Sequence, residues 1–185
     1  GKTPSLGKTF LCIDDKNIKE VIKKTKNKNF YTYGLSKNAN FHITNIDAEH
    51  LDFYKSLENL KKNFSSFIEK TPSLGKTFLC IDDKNIKEVI KKTNNKNFYT
   101  YGLSKDANFN ITNTLQKEKY SEFNLKIKIP GSKKEIKKIK IPLIGMHNIK
   151  NAASCAAVAF LIGINDKTIK KGLKNFKGVQ RRFNF

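Results

Sequence analysis

The apolar positions of this 185-residue chain change period several times, and each change marks an element. Thr77-Phe-Leu-Cys-Ile81 is a short apolar run of strand formers, closed by Asp82 and Asp83, either of which can cap the segment that follows. Over residues 85–92, Ile86, Val89 and Ile90 fall at helical spacing with lysines opposite, which predicts an amphipathic helix. Residues 97–101 form a second β-rich run, ended by Gly102. Strand, helix and strand at this length imply a parallel βαβ unit. Upstream, residues 52–70 carry apolar side chains at 53, 57, 60, 64, 67 and 68, the stripe of another amphipathic helix. Downstream the period falls to two. Phe123, Leu125, Ile127 and Ile129 alternate with polar residues, Pro130-Gly131-Ser132 turns the chain, and Ile136, Ile139 and Ile141 follow. That pattern predicts an antiparallel hairpin with one wet face. From Asn148 the spacing is helical again, and Ala152, Ala153, Ala156, Ala157 and Ala159 leave one side small enough to lie close on a sheet. A last helix is predicted over 166–175, capped by Asn165 or Asp166 and ending near Gly178. Together these elements predict an α/β fold, a mostly parallel sheet flanked by helices with a small antiparallel hairpin.

The chain also repeats itself. Residues 2–45 return as residues 70–113, and only three of the 44 aligned pairs differ: Lys26/Asn94, Asn38/Asp106 and His42/Asn110. Solenoid repeats diverge far more, because only their core positions are constrained. A near-identical tandem copy points instead to a recent duplication or a mis-joined gene. The tripeptide Ile-Thr-Asn, shared by both copies where the repeat ends, is the kind of short identity recombination leaves.

Composition alters this picture little. A net charge of +21 would ordinarily suggest a nucleic-acid or anionic-membrane partner. The charge is spread along the chain, however, and Lys supplies 35 of the 37 basic residues beside abundant Asn, Ile and Phe, as A/T-rich codon usage would produce. No helix-turn-helix, zinc-finger or RNA-recognition signature accompanies it. Cys12, Cys80 and Cys155 show no metal or disulfide spacing and read as buried free thiols in a reducing compartment. The opening GKTPSLGKTF lacks the apolar core of a signal peptide, and the apolar stretch over 152–164 is too short to span a bilayer. A cytoplasmic protein without membrane attachment is expected.

Four clusters could carry chemistry. Asn45, Asp47, Glu49, His50 and Asp52 bring oxygen and nitrogen donors into one loop at a helix start, where a divalent cation and a phosphate could be held, although an acidic capped helix start looks the same. Asn148 and Asn151 lie three apart, so both carboxamides can project from one side of a first helical turn and meet the edge of an adenine. On their own they read as a capping Asn and a surface Asn. Arg181 and Arg182 are the only arginines among so many lysines, which suggests a need for the guanidinium fork on phosphate or carboxylate. Gly-Lys-Thr at 1–3, 7–9 and 75–77 does not complete GxxxxGK[ST], and the copies at 7–9 and 75–77 run into strands rather than helices, so they read as turns.

Taken in order, TNIDAEHLDFY, an amphipathic helix ending in Phe-Ile, GKTFLCIDD, FYTYGLS, GMHNIKNAASCAAVAF and FKGVQRRF make residues 44–185 resemble the ATP-binding central domain of the Mur ligases. TNIDAEHLD and HNIKNA belong to that family at large, whereas CIDD and GVQRRF lean towards its UDP-N-acetylmuramate–L-alanine ligases. The resemblance implies an enzyme that joins L-alanine to UDP-N-acetylmuramate with ATP and Mg2+ through an acyl phosphate. It would place His50 at the metal and phosphate site, Asn148 and Asn151 against the nucleotide base, and Arg182 on its phosphates. It also implies a domain plan. Residues 1–43 are a strand–helix–strand duplicate of 69–111, and 44–185 are a partial central domain. The N-terminal UDP-binding domain, the phosphate loop and the C-terminal domain are absent, so the chain alone is expected not to ligate. The alternatives are a basic nucleic-acid-binding protein and a non-catalytic remnant that docks on an intact ligase.

Overall fold

The structure, a computed structural model, describes residues 9–12, 23–24, 30–33, 41–44, 55–71 and 75–176. The chain divides into two compact units, Gly1–Tyr99 and Thr100–Phe185. The first holds β1 (Thr9–Cys12), β2 (Phe30–Tyr33), β3 (Phe41–Thr44), α1 (Leu57–Glu69), β4 (Lys76–Cys80), α2 (Lys84–Lys92) and the opening of β5 (Phe98–Gly102). β1 pairs with β2, β2 with β3 and β3 with β4, all parallel. Parallel strands covered on both faces favour continuous apolar runs, and in β4 every residue from Thr77 to Cys80 is buried. The predicted strand, helix and second strand over 77–101 are therefore β4, α2 and β5. Asp83 is the helix cap, its carboxylate accepting the Asn85 amide at 2.8 Å.

The long upstream helix begins at Leu57 rather than Asp52. Ser56 stops it from extending further back: its backbone is extended and its hydroxyl accepts the Asn59 amide at 3.2 Å. Residues 51–54 lie outside the described residues. Leu60 and Ile68 of α1 meet Leu79, Ile86 and Val89 in the core of this unit, with Phe64, Phe67, Ile90 and Phe98 packed around them. Lys61 of α1 reaches Glu88 of α2 at 2.6 Å. That hydrogen bond raises the lysine above its usual pKa and lowers the carboxyl below its own.

α1 ends on an acid, Glu69, where the helix dipole is unfavourable by a few tenths of a kcal/mol or more. The loop after α2 offsets this. The Asn94 and Asn95 amides donate to the two Glu69 oxygens at 2.6 and 3.2 Å, and Asn95 Nδ2 donates to the Ile68, Glu69 and Thr71 carbonyls at 3.1 to 3.2 Å. One asparagine thus reaches two of the four carbonyls, at 68 and 69, that the helix C-terminus leaves without a helical partner.

The second unit holds the end of β5, then β6 (Phe109–Lys117), β7 (Tyr120–Ile129), β8 (Ser132–Ile141), α3 (Met146–Leu161) and α4 (Asp166–Lys174). β5 and β6 are parallel, while β6–β7 and β7–β8 are antiparallel. The predicted hairpin is β7–β8, but it belongs to a three-stranded meander whose first strand, β6, the alternation did not reveal. α3 packs on β6 and β7, and α4 on β8. Ala152, Ala153, Ala156 and Ala157 are buried, as the small-sided helix requires, and Ala159 is only half-buried. Asn165 caps α4 by accepting the Thr168 amide at 2.9 Å. Gly178 lies outside the described residues.

Two bulges flank the middle of β7. β6 carries two unpaired residues between Thr112 and Leu115, where Asn113 takes a left-handed φ of 50°. β8 slips opposite Asn124, whose Oδ1 accepts the Lys138 amide at 2.9 Å while Lys138 sits at φ 54°.

The duplication is visible in the pairing. Tyr33 pairs with Phe41 between β2 and β3, and Tyr101 pairs with Phe109 between β5 and β6, the same residues 68 positions later. Of the three residues of 70–113 that differ between copies, Asn110 is buried, its Nδ2 donating to the Leu103 and Ser104 carbonyls at 3.0 and 2.9 Å. The first copy has His42 there.

Candidate functional site

The described part of the candidate chemistry gathers at the start of α3. The helix begins at Met146, two residues before Asn148, so Asn148 is not its cap. That place belongs to Gly145, whose φ of 101° only glycine adopts readily, and no side chain caps the helix. The Gly145 amide donates to Gln116 Oε1 of β6 at 2.9 Å, which fixes the entry of the chain into α3. A Cβ at position 145 would meet nothing within 4 Å, so backbone strain alone opposes a substitution. Gly145→Ala is expected to lower the unfolding free energy by about 1–3 kcal/mol. Urea denaturation checks this, and an unchanged midpoint would show that the strained geometry is not needed.

Asn148, Asn151 and Cys155 share one outward side of α3, because residues three, four and seven apart stack along a helix. Asn148 is half-buried and its Nδ2 donates to the Ile144 carbonyl at 2.7 Å, which orients the carboxamide across the first turn. Asn151 is exposed, with Nδ2 2.9 Å from His147 Nε2. Two carboxamides therefore stand on one side of the first two turns, as the spacing predicts. Neither the His147 partner nor the Gln116 anchor was read from the sequence. The first follows the four-residue helical spacing, whereas Gln116 lies 29 residues away and has no local signal. Cys155 corrects an expectation: it is exposed on this same side, while Cys80 is buried as expected. The small face of α3 turns the intervening alanines to the sheet and leaves position 155 outside. Cys12 lies where side chains are not described.

The remaining candidates, His50 with its acidic neighbours and Arg181 with Arg182, fall outside the described residues. Gly75-Lys76-Thr77 runs into a strand, not a helix, as its sequence predicts. Lys76 opens β4, and the Thr77 amide donates to the Asn97 carbonyl at 3.2 Å instead of facing an anion. Thr9 likewise opens β1.

Residues 41–159 match the Mur ligase middle domain, well over half of the chain. The chain belongs to the Mur ligase family. A UDP-N-acetylmuramate–L-alanine ligase from Pelagibacter ubique is 55% identical over 143 residues, which is 77% of this chain and 31% of that protein. The chain thus spans about a third of the length of the curated Mur ligases it matches. Among solved structures, MurF from Acinetobacter baumannii superposes with a TM-score of 0.71 at 18% identity, covering 96% of this chain and 42% of that one. MurF from Thermotoga maritima, solved in complex with ADP, gives 0.65 at 12% identity, covering 97% and 42%. These two share the fold of this Mur ligase domain, a mostly parallel sheet with an antiparallel extension.

Proposed function

We propose that this chain is the nucleotide-binding portion of a UDP-N-acetylmuramate–L-alanine ligase of peptidoglycan precursor synthesis. UDP-N-acetylmuramate and L-alanine are the substrates of the whole enzyme, ATP and Mg2+ its cofactors, and the cytoplasm its place of action. The observation that carries the reading is the 55% identity to a protein of that name over 143 residues. No helix among the described residues is long and apolar enough to cross a membrane.

The first turns of α3 fit an adenine chemically. Its edge offers a donor and an acceptor together, and so does a carboxamide. Asn148 is held by the Ile144 carbonyl and Asn151 by His147, so both amides are oriented before a base arrives. Arg182 would hold the phosphates and His50 the metal. In this reading Mg2+ rests on His50 and the phosphates, and the described residues contain no cluster of His, Cys, Asp or Glu able to hold a cation. Bound ATP would supply the phosphoryl group that activates a carboxylate, and the residues named here position and neutralise it.

Calorimetric titration with ADP tests the assignment. Asn148→Ala and Asn151→Ala are each expected to weaken binding about tenfold, the loss of roughly 1.4 kcal/mol. A double variant that binds ADP as the parent does would refute the placement of the base at α3.

A further inference from the structure

The three-stranded meander of the second unit has a second face, and its chemistry is not that of the α3 site. Strand alternation puts Phe109, Ile111, Leu125 and Ile127 towards α3, so Asn110, Thr112, Lys126 and Lys128 lie on the opposite face. Directly across β8, Lys126 pairs with Glu135 and Lys128 with Lys133. With Lys105 these residues line a groove of about 550 Å³.

Charge accounting in this groove is unbalanced. Lys105, Lys126, Lys128 and Lys133 are exposed, and Glu135 is the single carboxylate among the lining residues. Glu135 is engaged by other groups: Oε1 accepts Asn124 Nδ2 at 3.2 Å and Oε2 lies 3.9 Å from Lys137. Lys134, which also borders the groove, is committed to Asp166 at 2.7 Å. Lys128 donates to the Lys105 carbonyl at 2.8 Å, which ties the loop before β6 to the hairpin and brings Lys105 over the groove. Like charges directly opposite on neighbouring strands, as at Lys128 and Lys133, cost a few tenths of a kcal/mol. A multivalent anion between them reverses that sign.

We infer that this groove is a binding site for a short phosphate chain, separate from the nucleotide site proposed at α3. Its volume is that of a small-molecule site rather than an extended track. Its floor also offers the hydroxyl of Thr112, and four ammonium groups match the charge of a di- or triphosphate.

Titration of the full chain with inorganic tripolyphosphate, followed by amide chemical shifts, tests this. The expected result is saturable binding with shifts concentrated over residues 105 and 126–135. Affinity should fall at least tenfold in Lys126→Ala/Lys133→Ala and stay within twofold in Lys167→Ala/Lys171→Ala, which removes the same charge from the exposed face of α4. Equal losses in the two variants would mean diffuse attraction to a basic protein and overturn the inference. So would shifts confined to residues 145–151, the α3 site. A 20-nucleotide single strand binding more than tenfold tighter than tripolyphosphate through the same lysines would also overturn it, in favour of nucleic acid.

Discussion

Replacing Phe109 with alanine is expected to lower the unfolding free energy of the second unit by about 3–5 kcal/mol. Phe109 is fully buried, and its ring meets Phe160 of α3 edge to face at 6.5 Å. Its strand is the hinge of the unit, pairing in parallel with β5 at Tyr101 and antiparallel with β7 at Ile127. Truncation therefore removes the transfer free energy of a large ring and also leaves a cavity under α3. Backbone pairing on both sides prevents the strand from moving in to fill that cavity. Domains of this size hold about 5–15 kcal/mol in all, so the variant should melt well below the parent. Urea unfolding followed by near-ultraviolet circular dichroism gives the number. A loss under 1 kcal/mol would mean that the β6–α3 contact is not the core of the unit.

The second large effect concerns activity and rests on the proposed reading. A polypeptide of these 185 residues, given ATP, Mg2+, UDP-N-acetylmuramate and L-alanine, is expected to release no phosphate above background. Phosphoryl transfer depends almost wholly on positioning and on neutralising charge around the transferring group. No GxxxxGK[ST] run occurs in the sequence. The Gly-Lys-Thr at 75–77 cannot substitute, because its threonine amide is bonded to the Asn97 carbonyl at the start of β4. Without amides and a lysine around the phosphates, the rate should fall by roughly a thousandfold or more. L-alanine-dependent phosphate release would sink this expectation and would require a phosphate cradle elsewhere in the chain.

Where the local pattern was strong, the fold was readable. β4, α2 and β5 follow from apolar runs and a capping Asp, and α3 follows from its alanine stripe. β6 escaped because the stretch over 113–117 is exposed, with Leu115 itself at the surface. Its strand character comes from β7 across a bulge, which is a non-local cause. The start of α1 moved because Ser56 caps it, a signal weaker in sequence than the acidic residues upstream. The candidate site divides along the same line. The two asparagines of α3 could be recognised by their spacing, but what orients them, a carbonyl at 144 and an imidazole at 147, depends on the helix starting at a glycine. The anchor of that glycine on Gln116 depends on tertiary structure alone.

The shared register of the two copies has a practical consequence for isotope-exchange measurements. Residues 2–25 and 70–93 are identical, as are 27–37 and 95–105, so most proteolytic fragments from this part of the chain carry one mass and two origins. β2 and β5 sit in different surroundings, one between β1 and β3 and the other beside the meander strand β6. A single fragment such as FYTYGLSK will then show two deuteration levels in one spectrum. Such a doubled envelope is usually read as cooperative opening between a closed and an open state. Here it would report two permanent addresses of the same peptide, and a substitution that labels one copy by mass separates them.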